Sequence, residues 1–223
     1  MDRDKFLADI TRYISKSVNH SKRKTNSINC NNCFDCTDSY IKEKEILNKI
    51  SIGNYTTTKE QGDALEELLK LLFDRIDVLH SFDVTDRDTA LGQIDISLIP
   101  LDNTLYEILG MTEDSPSCLI GECKNYKDPK KVGREDIEKT CWRASKGKGL
   151  SFFIGNAYTQ KAIEETSEFN LYRESILRES RGVYIVPITI SMIKIIVEND
   201  LNFCFFIRWA IQSSKKMAIA NYL

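Results

Sequence analysis

Apolar positions near the start of the chain recur at helical spacing, as Phe6, Ile10, Tyr13 and Ile14. They predict an amphipathic helix over about 4–18. A polar stretch with Lys22-Arg23-Lys24 follows, then Cys30-Asn31-Asn32-Cys33-Phe34-Asp35-Cys36, and a second helix is expected from Ser39 to Ile50. Thr57 or Thr58 can open a third helix, in which Ala64, Leu65, Leu68, Leu69, Leu72 and Phe73 mark one apolar face. Beyond it the pattern changes to short runs. Ile76 to Val84, Gln93 to Ile99 and Cys118 to Lys124 read as strands, the second alternating Ile94, Ile96 and Leu98. Pro100 to Ser117 is a long connection, with a short helix expected around Leu105 to Leu109.

The rest alternates. A polar, basic helix is expected from Arg134 to Ala144, a buried strand over Leu150 to Ile154 and a helix from about Thr159 to Ser175. Val183 to Ile188 is the last strand, and the apolar region from Ser191 onward is one long helix or two short ones. The order is helix, three strands, helix, strand, helix, strand, helix. It predicts an α/β fold, a three-layer sandwich with a central mixed sheet flanked by helices. Residues 1–58 read as a helical N-terminal extension and 59–223 as the main domain. With 223 residues, 42% of them apolar, the chain can bury a core without disulfides.

Charge adds one local feature. The net charge is −2, yet Lys124 to Lys148 holds nine Lys or Arg against four Asp or Glu. A clustered excess of that kind suits a polyanionic partner, and it equally suits a solvated helix face. The chain lacks an apolar run of membrane-span length and begins without the apolar stretch of a signal peptide. Its seven cysteines are odd in number and unevenly spread, so a reduced, cytoplasmic protein is expected.

Candidate chemistry centres on Gly121-Glu122-Cys123-Lys124-Asn125. In a strand, Glu122 and Lys124 share a face, and a carboxylate and an ammonium ending an apolar strand require pairing, metal or water. Asp95, between Ile94 and Ile96, converges with Glu122 if the two strands run antiparallel side by side. Two carboxylates form a hard oxygen site suited to Mg²⁺ or Mn²⁺, and a lysine beside them can orient an attacking water. Glu66 can add a third carboxylate, provided that the helix turns it, rather than Glu67, toward the site. A structural ion pair at a strand end is the competing reading of the same residues.

Three segments, Gly62-x-x-x-Glu66, Gly92-Gln93-Ile94-Asp95-Ile96 and Gly121-Glu122-Cys123-Lys124-Asn125, resemble the spine of Mrr-like restriction endonucleases, within the PD-(D/E)xK superfamily. Leu150 to Thr159, with Ala162, is similar to the strand, turn and helix that follow the catalytic lysine there. The likeness spans roughly Gly62 to Ile188. It implies a restriction-endonuclease-like sandwich, with Asp95, Glu122 and Glu66 as metal ligands and Lys124 as the catalytic lysine. It also implies a Mg²⁺-dependent endonuclease acting on DNA, with a role in restriction or antiphage defence. The chain departs from the family's pattern in having no proline before Asp95 and a long connection between the two catalytic strands. An RNA- or structure-selective nuclease, and a non-catalytic nucleic-acid-binding subunit, stay open beside that reading.

Cutting both strands with one site per chain favours a homodimer, for which residues 1–58 and the apolar C-terminal region are candidate surfaces. No P-loop is present, so any NTPase or sensor subunit would be a separate partner. Cys30, Cys33 and Cys36, with His20, offer a zinc set, although free cysteines fit the irregular spacing better. Cys123 reads as a small core hydrophobe. Tyr126, Trp142 and Tyr158 are candidates to stack on bases beside Lys127, Lys130, Lys131 and Arg143, though Trp142 reads first as core.

Overall fold

The computed structural model describes residues 1–24, 40–53, 55–76, 79–83, 95–100, 119–126, 130–147, 150–175, 185–216 and 218–223. Cys30, Cys33 and Cys36, the side chain of His20, Gly92-Gln93-Ile94, Lys127, and residues 101–118 of the long connection lie outside them. Among the described residues, seven helices and five strands follow in order: α1 (Arg3–Lys24), α2 (Ile41–Ile52), α3 (Thr58–Asp74), β1 (Leu79–Asp83), β2 (Ile96–Pro100) and β3 (Leu119–Lys124). Then come α4 (Arg134–Gly147), β4 (Leu150–Gly155), α5 (Gln160–Ser175), β5 (Ile185–Thr189), α6 (Ile190–Glu198) and α7 (Phe203–Lys215), closed by a 3₁₀ turn at Ala218–Tyr222.

The strands form one mixed sheet in sequence order. β1–β2 and β2–β3 are antiparallel, whereas β3–β4 and β4–β5 are parallel and joined through α4 and α5. Alternation along β4 sends Leu150, Phe152 and Ile154 into one core and Phe153 into another. The larger core unites that sheet face with α1, α2, α3, α6 and α7, through residues such as Phe6, Leu47, Leu69, Ile193 and Phe206. The smaller core lies beneath α4 and α5, with Ile137, Cys141 and Ala162 around Phe153. Both faces of the parallel strands are therefore covered, which explains their continuous apolar runs. The arrangement is α/β and compatible with three layers.

Local signals set the element ends. Thr57 caps α3 by accepting from the Glu60 amide, and the Glu60 carboxylate reaches back to the Thr57 amide, a capping box. The apolar C-terminal region divides into α6 and α7 at Asn199-Asp200, where Asp200 takes a φ of 49° and Asn202 caps α7 from the Phe205 amide. Gly155 ends β4 where Val132 crosses it. A Cβ there would lie 2.5 Å from Val132 Cγ2, so only glycine admits the bridge between Val132 and Tyr158.

α1 and α2 are joined to this core. Phe6 meets Trp209 and Tyr222 edge-on with ring centroids 5.4 and 5.6 Å apart, and Tyr13 donates to Gln212 Oε1 at 3.1 Å. The apolar residues of α7, candidates for a dimer surface, are thus largely buried within the chain, against α1, β5 and the 3₁₀ turn. Among the described residues no helix is long and apolar enough to cross a membrane.

Candidate active site

Asp95 and Glu122 meet because β2 and β3 are antiparallel with Ile96 opposite Gly121. Continuing that register one residue back sets Asp95 opposite Glu122. Ile96 and Leu98 join the larger core, as do Leu119 and Cys123 of β3. By alternation, Asp95, Glu122 and Lys124 face the other side, toward α4. Glu122 also lies beside Phe153 in the parallel pairing, and Phe153 belongs to the core beneath α4.

Asp95 is 9% exposed, and its Oδ2 accepts from the Cys123 amide at 2.6 Å. Glu122 holds two cations. Its Oε1 accepts from Lys124 Nζ at 2.7 Å and its Oε2 from Arg143 at 2.5 Å. All three side chains are mostly buried, so these pairs are less screened than surface bridges. Burial, then the neighbouring Glu122 charge, pushes the Asp95 carboxyl above the ordinary carboxylate range. At Lys124, burial favours the neutral amine, yet the charge and hydrogen bond of Glu122 outweigh it and hold the ammonium. Lys124 is therefore a fixed positive charge at neutral pH, unsuited to act there as a general base.

Glu66 and Glu67 separate as the helix turns. Glu67 is exposed and lies 3.7 Å from Lys42 Nζ, whereas Glu66 is half-buried. Burial, then the charges of Asp95, Glu66 and Glu122, push the Cys123 thiol well up, so the Glu66 carboxylate lies near that residue. Asn125 Nδ2 donates to the Gln61 carbonyl at 2.9 Å, tying α3 to the end of β3. Cys123 packs partly buried against the larger core, as its strand position predicts.

Asp95 and Glu122 meet on adjacent strands. The charges of Asp95, Glu66 and Glu122 all reach Cys123 between them. Among the described residues no group of three or more His, Cys, Asp or Glu is placed to hold a metal ion. A two-carboxylate oxygen site still fits an ion such as Mg²⁺, which commonly keeps several waters. The repulsion that raises Asp95 is the kind that a cation between two carboxylates relieves.

Arg143, expected only as a cation beside candidate stacking residues, is the second partner of Glu122. It sits beside the buried stripe of Ile137, Cys141 and Ala144 on α4, and that position turns it inward to Glu122. Two expectations about aromatic residues also change. Trp142 is not core: it is 53% exposed, because the same helical register leaves it off the buried stripe. Tyr158 is buried, its hydroxyl 2.6 Å from the Phe153 carbonyl oxygen and 3.1 Å from that of Ile188, so it cannot stack on a base. Tyr126 is half-buried beneath Lys130, whose Nζ lies 3.9 Å from the ring centroid, and its hydroxyl donates to Asp136 at 3.0 Å.

Because the Asp95 carboxyl is raised on folding, its contribution is full below the ordinary carboxylate range and is lost as pH rises through the folded value. At pH 7 its ionised form opposes folding. Asp95→Asn keeps an oxygen for the Cys123 amide and removes the charge. Thermal melting at pH 7 without divalent metal is expected to rise by roughly 2–5 °C. A lower melting temperature would mean that Lys124 and Arg143 stabilise the ionised carboxylate more than burial and Glu122 oppose it.

Comparisons of the chain with protein-family models, with curated proteins and with solved structures found no match.

Proposed function

We propose that the protein is a metal-dependent endonuclease of the PD-(D/E)xK type that hydrolyses phosphodiester bonds in DNA. The observation that carries this reading is the meeting of Asp95 and Glu122 on one face of adjacent antiparallel strands, with Lys124 bonded to Glu122. Its further support is the resemblance of the three motif segments to Mrr-like restriction endonucleases.

Asp95 and Glu122 would hold the divalent ion, Mg²⁺ or Mn²⁺. Bound there, it would supply Lewis acidity toward a phosphate oxygen and an attacking water. The Cys123 amide fixes the Asp95 carboxylate through Oδ2. Lys124, kept protonated by Glu122, offers a fixed charge that can orient the water and stabilise developing hydroxide. Arg143 holds the second oxygen of Glu122 and thereby orients that carboxylate. Glu66, whose charge also reaches Cys123, would complete the carboxylate set as a third ligand.

A structural ion-pair network would use the same contacts, and activity separates the two readings. With Mg²⁺ or Mn²⁺, the purified chain is expected to cut duplex DNA, and addition of EDTA to stop it. Parallel assays on branched DNA and RNA distinguish the structure-selective and RNA-directed alternatives. Failure to cut any of them with either metal would support a nucleic-acid-binding subunit without catalysis. A role in restriction or antiphage defence is part of the proposal and rests on the resemblance alone.

A further inference from the structure

The helix that supplies Arg143 also carries an aromatic side chain for which the site chemistry has no use. Trp142 precedes Arg143 on α4 and is 53% exposed. Large apolar side chains exposed among the described residues are Met1, Ile41, Ile52, Trp142 and Leu171, and Trp142 is the one aromatic among them. An exposed indole beside a candidate active site is a more specific signal than scattered aliphatics, since Trp combines a broad stacking face with a polar edge.

Its surroundings are basic. Exposed Lys139 lies one turn before Trp142, and exposed Lys130 and Lys131 precede α4. Exposed Glu135 on the same helix sets one negative charge against those three lysines, and the other acidic residues are occupied. Asp136 accepts from Tyr126 and from the Gly133 amide, and Glu138 pairs with Arg134. The charge left on this side favours a polyanion over an acidic or purely apolar protein surface.

We propose that the exposed side of α4 is a nucleic-acid-binding surface on which Trp142 stacks against an unpaired base, so that the preferred DNA carries single-stranded nucleotides. This rests on the nuclease reading and narrows its substrate class. Bases inside a duplex have both faces covered by their neighbours. An indole can stack only where a base is single-stranded, frayed or terminal. Lys139 and Lys130 would follow the phosphates, and Arg143, bonded to Glu122 behind Trp142, joins this surface to the carboxylates.

The test reads binding without chemistry. Tryptophan emission is titrated in EDTA with a short oligothymidine and, separately, with a blunt duplex of equal length. The chain has two tryptophans, and Trp209 is only 7% exposed, so the Trp142→Phe variant provides the baseline. Quenching is expected with the single strand and much less with the duplex, and it should disappear in Trp142→Phe. Trp142→Ala should bind the single strand roughly 5- to 100-fold more weakly, with an unchanged circular dichroism spectrum.

Equal single-strand affinity in the parent and Trp142→Ala would overturn the proposal, as would equal quenching by duplex. If no oligonucleotide quenches and Trp142→Ala instead lowers the mass in solution, α4 is a protein interface and the proposal fails. Because EDTA excludes cleavage, quenching without later metal-dependent cutting would count against the nuclease reading and leave the surface standing.

Discussion

Lys124→Ala is expected to lower metal-dependent DNA cleavage by roughly 10²–10⁴-fold while leaving the fold intact. The ammonium donates to Glu122 Oε1 at 2.7 Å, and Glu122 remains paired with Arg143 when it is removed. Asp95 loses one of the two cations that offset its charge. Melting at pH 7 without metal should therefore fall by a few degrees, and less where divalent metal is present. The loss should fall on turnover, because a fixed charge beside a forming hydroxide acts on the transition state more than on substrate binding. Lys124→Arg preserves the charge with a different shape and donor geometry, and should restore only part of the rate. Single-turnover cleavage with melting curves on the same samples checks both halves. A variant that cuts at the parent's rate would remove Lys124 from the mechanism.

The largest effect on stability is expected away from the site, at Arg75→Ala. Glu43 on α2 is 2% exposed and takes a hydrogen bond from Arg75 at 2.5 Å, while its other oxygen has no hydrogen-bond partner among the described residues. Arg75 also lies over the Tyr40 ring, 4.6 Å from its centroid, and the Tyr40 hydroxyl donates to the Leu201 carbonyl at 2.6 Å. That chain of contacts joins α2, the end of α3 and the connection between α6 and α7. Removing Arg75 leaves a buried carboxylate without its cation, at a cost of about 3–5 kcal/mol. For a chain of this size, that corresponds to a drop in melting temperature on the order of 10 °C. Adding Glu43→Leu should recover much of the loss, because the stranded charge goes with it. A drop of under about 2 °C in the single variant would show that water reaches Glu43 and that the pair is not a buried one.

The sequence made the sheet legible where one face is buried and the other carries polar groups. Alternation placed Glu122 and Lys124 on one side of β3 and Cys123 on the other, and the single Asp between two isoleucines marked the facing strand. Register came only from the pairing of Ile96 with Gly121. The inward pairing of Arg143 stayed hidden because it is one of nine cations between Lys124 and Lys148, and charge count does not tell which one turns inward. The stripe of Ile137, Cys141 and Ala144 contained the missing direction. That stripe also places Trp142 outside, where hydrophobicity alone had put it in the core. The division between α6 and α7 is written in Asn199, Asp200 and Asn202, a stop and a cap inside an otherwise apolar region. The choice of Glu66 over Glu67 came from the leucine stripe of α3, which leaves Glu67 exposed and Glu66 half-buried near Cys123.

The central claim is that Asp95 and Glu122 form the metal-dependent catalytic pair of a DNA-cutting enzyme. It is tested most directly by incubating supercoiled plasmid with the parent chain and with Asp95→Asn, each with Mn²⁺ and with EDTA. The account predicts nicked or linear DNA from the parent with Mn²⁺ alone, and intact plasmid from the variant despite its undiminished melting temperature. Cleavage by Asp95→Asn at the parent's rate, or by the parent in EDTA, would contradict it.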